Sequence, residues 1–209
     1  MSRASFLRRS LGTIVRGGLL VGGVFALTGI RLGKRPPAGA RMSLGIVRPP
    51  GSLAEAEFMA ACVRCNRCAD ACRANAIRFF GPEAGRHHGT PLIVPEERAC
   101  TMCLECGTAC PTGAIQPLLE VTDVAMGVAA VDDRLCVSIN GTGICGACFT
   151  ACPLRGKAIT QGIRNAPTVH AEFCTGCGLC EEHCIVDDRI GIRAIQVTTT
   201  RAWPARKVA

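Results

Sequence analysis

The chain has 209 residues with an aromatic content of 4%, no tyrosine and one tryptophan, so we do not expect an ordinary aromatic-rich core. Its length suits one domain or two small ones. The formal net charge of +8 is concentrated at the N-terminus, because residues 1–40 hold seven Arg or Lys and no acid. Residues 41–209 hold 17 basic groups and 16 acidic ones and are nearly neutral. No basic face interleaved with aromatic residues is visible, which argues against a nucleic-acid partner.

The N-terminal segment has the pattern of a twin-arginine export signal. Arg8 and Arg9 precede an apolar residue, and an apolar run of fourteen residues follows at 17–30. This run is shorter than the roughly 20 residues of a spanning helix. Small residues at 38–40 offer a cleavage site. We expect a periplasmic protein, possible alternatives being a mitochondrial transit peptide or an uncleaved signal that anchors the protein to the membrane.

Sixteen cysteines form four sets of four, and three sets read C-x2-C-x2-C-x3-C while the third opens with C-x8-C. Thiolates spaced by three residues on a tightly turning backbone can hold three corners of an iron–sulfur cube, and a fourth in such runs ligates the other cluster of a pair. The pattern predicts four [4Fe–4S] clusters, whose iron ligands are Cys62, Cys65, Cys68, Cys72, Cys100, Cys103, Cys106, Cys110, Cys136, Cys145, Cys148, Cys152, Cys174, Cys177, Cys180 and Cys184.

Two other uses of cysteine fit the spacing poorly. Structural zinc uses separated pairs that close one tetrahedron, not four thiols within eleven residues, repeated. A disulfide framework suits short secreted chains and does not require a repeated spacing. No Ser/His/Asp order, paired-carboxylate motif or phosphate-binding loop is present, so the sequence names no catalytic residue. We expect an electron carrier, and not an enzyme.

The cysteine sets belong to a repeat of about 37 residues, since their first members are residues 62, 100, 136 and 174. Each set is followed by an Ala-Ile pair, and valine precedes three of the sets. The predicted unit is a short strand, a cysteine loop, a helical turn and a second strand. The fold class is therefore α+β, with tandem bacterial-ferredoxin-like repeats, two pseudo-symmetric cluster pairs and little regular secondary structure. The Ala-Ile pairs are Ala76-Ile77, Ala114-Ile115, Ala158-Ile159 and Ala194-Ile195.

The chain is expected to divide into four parts. A signal segment occupies residues 1–40, and a proline-rich extended linker follows at 41–53. The four-cluster domain spans 54–200 and opens with a helix at 54–61 where the other repeats have a strand. A loose tail follows at 201–209. The cluster motifs within the domain lie at 62–72, 100–110, 136–152 and 174–184.

From Leu53 to Val197 the chain resembles the ferredoxin-type proteins of the NapG and MauM kind. The twin-arginine start and the C-x8-C opening of set three match that family, as do the stretches at 60–65, 89–91, 126–127, 152–154 and 167–170. Set two departs from the NapG branch, which has a longer second gap. The resemblance implies electron transfer between a membrane-bound iron–sulfur quinol dehydrogenase subunit and a periplasmic reductase or dehydrogenase, with peripheral or anchored membrane association possible.

Two further functions remain open at this stage. The protein could supply electrons for maturing the cofactor of a periplasmic quinoprotein of the methylamine dehydrogenase type, or act as a soluble polyferredoxin without a membrane partner.

The pairing of the sets can be sequential or nested. Proline follows the last cysteine of sets two and three, whereas Arg73 and Ile185 stand there in sets one and four. This regularity favours nesting, with set two paired to three and set one to four, as in the four-cluster subunits of molybdoenzymes that the family resembles. Nesting predicts that Cys72 lies with Cys174, Cys177 and Cys180, Cys184 with set one, Cys110 with set three, and Cys152 with set two.

The four histidines carry weaker signals. His87 and His88 lie in a loop flanked by glycines and are expected at the surface, the alternatives being a partner contact or a ligand role. His183 precedes Cys184 and could donate a hydrogen bond to cluster sulfur, which would tune the potential. His170 is expected to be a structural residue at the end of a strand.

Overall fold

Short antiparallel hairpins and single helical turns make up most of the computed structural model, which describes residues 45–188 and 191–201. The expected signal segment lies outside these residues. In the described residues the helices are α1 (Glu55–Ala61), α2 (Arg67–Asp70), α3 (Glu105–Thr108), α4 (Ala147–Ala151) and α5 (Leu179–Glu182). The 3₁₀ helices are Pro82–His87, Val121–Asp123 and Ile163–Asn165. The strands are β1 (Ile77–Phe79), β2 (Pro91–Ile93), β3 (Val128–Val131), β4 (Ile159–Gln161), β5 (Pro167–Val169) and β6 (Ile195–Thr198).

Two halves of the chain repeat one topology. In the second half, β4 after set three pairs antiparallel with β5 before set four, and β3 before set three pairs with β6 after set four. In the first half, β1 after set one pairs with β2 before set two. The outer pair of that half is reduced to a bridge between Ser52 and Ile115. Each half is therefore closed by hydrogen bonds between its own first and last segments.

The predicted repeat unit is confirmed in sets three and four, whereas after set two the second strand is reduced to a bridge at Ile115, and the Ala-Ile pairs form the core of each half. All eight side chains are buried, and three of the four pairs lead into or lie in strands β1, β4 and β6. The small alanine allows the cysteine loop to approach the strand, while the isoleucine fills the interior together with the cysteines. As predicted, a helix (α1) precedes set one in place of a strand.

Part of the segment that was expected to be a linker belongs to the core. Ile46, Val47 and Arg48 are at most 1% exposed. Val47 bridges to Ile93 at the edge of β2, and the backbone N–H of Ile46 donates to the carbonyl of Arg201. Residues 45–53 therefore pack along the edge of the first half. Proline at 49 and 50 restricts the backbone to an extended conformation, so this segment is extended and also ordered against the core.

Candidate iron–sulfur centres

Three of the four cysteine loops share one backbone conformation. In sets one, two and four the residues on either side of the second cysteine have positive φ, between 57° and 84°. Alternating conformations of this kind turn successive backbone N–H groups inward and form a concave anion-binding nest. The tight C-x2-C-x2-C spacing thus folds into a cradle for an anionic cluster. The positive-φ residues are Arg64, Asn66, Met102, Leu104, Gly176 and Gly178.

In the second half, two cavities are each lined by four cysteines. One, with about 370 Å³ of space that includes an opening to solvent, is lined by Cys136, Cys145, Cys148 and Cys184. The other, of about 350 Å³, is lined by Cys152, Cys174, Cys177 and Cys180. Each cavity thus receives three cysteines of one set and the fourth cysteine of the other. Their apolar walls and convergent thiols fit a [4Fe–4S] cube with a crossed ligand.

The first half follows the same rule. Burial raises the pKa of Cys100 and of Cys106, and the charges of nearby cysteines add to this effect. Those charges include Cys177 at Cys100, Cys68 at Cys106, and Cys103 and Cys72 at both, so Cys72 lies close to set two. Cys62 and Cys65 act in the same way on Cys68. The fourth cysteine of set one therefore joins set two.

The nested pairing expected from the sequence is wrong. Cys72 lies with set two and not with set four, and Cys184 lies with set three and not with set one. The physical reason is the strand pairing, because the hydrogen bonds that close each half hold sets one and two together and sets three and four together. The prediction of nesting was based on the proline that follows the last cysteine of sets two and three. That proline does not determine which sets share a half.

The two halves meet at sets two and four. The backbone N–H of Cys100 donates to the carbonyl of Cys177 over 3.0 Å, and the Thr175 hydroxyl contacts the Met102 sulfur at 3.3 Å. Nearby, the Ala99 N–H donates to the Glu182 carboxylate over 2.9 Å. Because sets two and four are the inner ones, the four centres follow the order one, two, four, three.

Glycines at set four allow two close approaches, to the first half at Gly178 and to the segment before β3 at Gly176, which the sequence reasoning missed. A Cβ on Gly178 would overlap Pro95, and a Cβ on Gly176 would overlap the backbone of Gly127. Sets one and two carry larger residues at the same positive-φ positions. The sequence feature that could have indicated this contact is C-T-G-C-G in set four, because set four alone has glycine on both sides of its second cysteine.

Backbone N–H groups of the Ala-Ile pairs point at cysteine sulfur in the first half. The N–H of Ala76 donates to Cys72, and the N–H of Ile115 donates to Cys110, each over 3.4 Å. Hydrogen bonds of this kind orient a ligand and tune the potential of a cluster. The repeated Ala-Ile pair therefore serves both the core and the crossed ligand.

Burial raises the pKa of several cysteine thiols in the absence of iron. The pKa of Cys100 and of Cys106 is raised to about 12, and the pKa of Cys68 and of Cys148 to about 11. At Cys110 burial also acts to raise the pKa, but hydrogen bonds to its sulfur, led by the one from the Ile115 N–H, outweigh burial and lower the pKa. Because ligation requires thiolates, iron must replace these protons when the clusters assemble.

No group of three or more His, Cys, Asp or Glu side chains in residues 45–188 and 191–201 is arranged to hold a single metal ion. A cube places its four thiolate ligands on four different iron atoms. Its ligands therefore lie farther apart than the ligands of one ion.

The histidines have different outcomes. His183 is exposed and its Nδ1 lies 3.0 Å from the Leu179 carbonyl, and a hydrogen bond from His183 to cluster sulfur stays a prediction. His87 is 2% exposed, which contradicts its expected surface position, whereas His88 is exposed. His170 follows β5 and bonds to the Thr160 hydroxyl at 2.9 Å, as expected of a structural residue.

A buried charge cluster beside the first half was also missed. The Arg48 guanidinium, 1% exposed, contacts the Glu55 carboxylate at 2.6 Å and the Thr90 hydroxyl at 3.0 Å, and it lies over the Phe58 ring. Arg201 reaches the same carboxylate at 3.3 Å. No sequence motif marks this cluster, because its members are brought together only by the fold.

Comparisons with known proteins agree with the geometry. Two family models, each described as a 4Fe-4S dicluster domain, match residues 61–114 and 131–185, and each match lies within one of the two halves. Within the described part of the chain, no helix has the length and apolar character required to cross a membrane.

Curated relatives cover most of the chain. A methylamine utilization ferredoxin-type protein MauM of Methylobacillus flagellatus is 37% identical over 87% of this chain and 77% of its own length. The MauM protein of Methylorubrum extorquens is also 37% identical, over 88% of this chain and 86% of its own length. The ferredoxin-type protein NapG of Escherichia coli is 36% identical over 86% of this chain and 81% of its own length.

Proposed function

Because the chain belongs to the MauM and NapG family of ferredoxin-type iron–sulfur electron carriers, we propose that it is exported and passes electrons between a membrane quinol-oxidising partner and a periplasmic redox enzyme. Four [4Fe–4S] clusters would supply one-electron chemistry. The observation that carries the proposal is the joining of the two halves at sets two and four, which arranges four cysteine groups in a row.

The residues of this chain would bind each cluster with three thiolates of one set and one from its neighbour. Apolar walls from the Ala-Ile pairs keep water from the inner groups. The MauM and NapG relatives are ferredoxin-type proteins, which supports a non-catalytic carrier.

Accessory electron supply for maturing a quinoprotein is the second candidate. It is favoured by the identity to the MauM proteins, named for methylamine utilization, and by the regular second gap of set two, Cys103-Leu104-Glu105-Cys106.

Metal analysis of the anaerobically purified protein tests the cluster count. We expect about sixteen iron atoms and an equal amount of acid-labile sulfide per chain, from four cubes. Cys145→Ser or Cys148→Ser should reduce electron transfer as strongly as Cys103→Ser, since both lie in the regular part of set three. Zinc in place of iron, or unchanged cluster content in the set-three variants, would contradict the proposal.

Export is tested at the arginine pair. Changing Arg8 and Arg9 together to Lys should retain the protein in the cytoplasm, because the translocase reads the pair itself and not only its charge. Normal appearance of the double variant in the periplasmic fraction would show that the signal was assigned wrongly.

A further inference from the structure

The two ends of the row of cysteine groups differ in charge. Since sets two and four are the inner ones, the ends are formed by sets one and three. The segment from Cys62 to Arg73 carries three arginines, Arg64, Arg67 and Arg73, against the single acid Asp70. The segment from Cys136 to Cys152 carries no charged side chain. The side chains of one end are therefore more basic than those of the other, and the negative charge of a cluster with its thiolates would add to both ends alike.

The basic end also exposes a cysteine that is expected to bind iron. Residues 63–67 are all exposed, Cys65 among them, and Val63 is 61% exposed. The Arg64 guanidinium donates to the backbone carbonyls of Arg86 and His88 over 3.0 and 2.9 Å, which brings two further exposed basic residues to this surface. We call this surface the first-set face, formed by Val63, Arg64, Cys65, Arg67, Arg86 and His88.

The acids beside the first-set face are dispersed among its flanking elements. Asp70 is exposed on α2, Glu57 on α1 and Glu83 in the 3₁₀ helix that holds Arg86, while Glu105 pairs with Arg73 at 2.6 Å. Arg67 is the first residue of α2 and points its charge into solvent near Cys65, which lies two positions before it. A partner that approaches Cys65 therefore meets the exposed side chains of Arg64, Arg67 and Arg86 around a small apolar centre, Val63.

The exposed Cys65, with arginine side chains around it, is an arrangement that suits a transient redox complex. Such complexes bury small interfaces, and complementary charges raise their association rates and restrict their orientation. Electron transfer also requires a short path, which the exposed Cys65 provides. We propose that the first-set face is the docking surface for a redox protein with an acidic patch, an inference that rests on the proposed electron-transfer function.

Cytochrome c and its succinylated, acidic form provide matched probes, because succinylation reverses the charge around one haem. The anaerobically reduced holoprotein loses one electron and the haem iron gains it, passing from ferric to ferrous. At low ionic strength we expect faster reduction and tighter binding of the acidic form, each weakened by added salt as the Debye length shortens. Stopped-flow absorbance gives the rate, and calorimetry with oxidised holoprotein gives the Kd.

Arg67→Glu should slow reduction of the acidic cytochrome about fivefold or more and raise its Kd, by loss of electrostatic steering. Glutamate is favourable in the first turn of a helix, so the fold should tolerate it. The matched control is Arg134→Glu, an equal charge change at a side chain that is 92% exposed near set three, and it should have little effect. Iron content and the visible spectrum of both variants must first match those of the unchanged protein.

Equal effects of the two substitutions, or a rate that does not depend on salt, would overturn the docking proposal. So would binding to vesicles of anionic phospholipid that Arg67→Glu abolishes while the cytochrome rate stays unchanged, since the face would then recognise a membrane. If fully loaded holoprotein reduces neither form of cytochrome c, the electron-transfer function itself fails. These results are distinguishable because loading is measured separately.

Discussion

At the scale of single residues, the least expected feature is the charged cluster around Arg48. Its guanidinium is almost completely buried, and the Glu55 carboxylate is its acidic partner in the contacts described above. Burial opposes ionisation of Glu55, but hydrogen bonds and charge from Arg48, followed by those from Arg201, lower its pKa. The carboxylate therefore joins residues 48, 55 and 201, which lie far apart in sequence.

We expect Glu55→Gln to destabilise the protein by about 2 kcal/mol, because it leaves Arg48 buried without an anion. For a chain of this size this corresponds to a fall of about 4–8 °C in the melting temperature. Anaerobic heating monitored by the visible absorbance of the clusters measures it. The control is Glu57→Gln on the exposed side of the same helix, which should change little. A similar melting temperature for both variants would mean that the ion pair adds no stability.

At the scale of elements, the cysteine loops show why one spacing tolerates different residues. Sets one and two place Arg64, Asn66, Met102 and Leu104 at positive φ, which costs each residue about 1–2 kcal/mol. Metal–thiolate bonds can offset that cost. Set four has glycine at both positions because, in addition, Pro95 and the backbone at Gly127 leave no room for a Cβ.

Gly178→Ala tests this close approach between the halves. It should lower stability by about 1–2 kcal/mol from the positive φ and by about 1–3 kcal/mol more from overlap with Pro95. Gly156→Ala is the matched control, because Gly156 has φ of +83° and nothing within 4 Å of an added Cβ. Melting temperatures of the two variants, measured as for Glu55→Gln, should differ by several degrees. Equal losses would show that steric contact at Pro95 has no effect.

Much of the element structure could be predicted from the sequence, since cysteine spacing and the Ala-Ile pairs act locally. Ala76 and Ala158 precede buried isoleucines at the strand starts, as the repeat required. The pairing of sets could not be read in this way, because it depends on long-range hydrogen bonds such as the one from the Gln116 N–H to the Gly51 carbonyl. His87 was misplaced for a similar reason, since its burial depends on distant Arg48.

At the scale of the whole molecule, the described structure consists of two halves, each closed by hydrogen bonds between its own first and last segments. The halves meet at sets two and four. The contacts of sets two and four connect them, including the Arg98–Glu182 ion pair at 3.6 Å, and Arg201 after β6 also contacts Ile46 and Glu55 of the first half. Loss of a cluster in one half should therefore leave both clusters of the other half in place.

A double variant distinguishes this arrangement from nesting by iron content alone. Cys72→Ala combined with Cys103→Ala removes two ligands of one cube, so we expect about twelve iron atoms per chain in place of about sixteen. Nested pairing would place the two ligands in different cubes and predicts about eight. The single variants Cys72→Ala and Cys103→Ala should show the same missing signal in electron paramagnetic resonance spectra. Two different missing signals would contradict sequential pairing.

Sequential closure also bears on the order of events during synthesis. The first half ends its ligand set at Cys110 and its closing bridge at Ile115, before Cys136 has been made. Chains fold domain by domain from the N-terminus while they are translated. All ligands of the first half are thus synthesised before the second half is translated. In a nested arrangement, the cluster of set one would lack its fourth ligand until Cys184 had been synthesised. Iron–sulfur assembly can accordingly begin on the nascent chain, and the period in which its thiols stand unprotected is shortened.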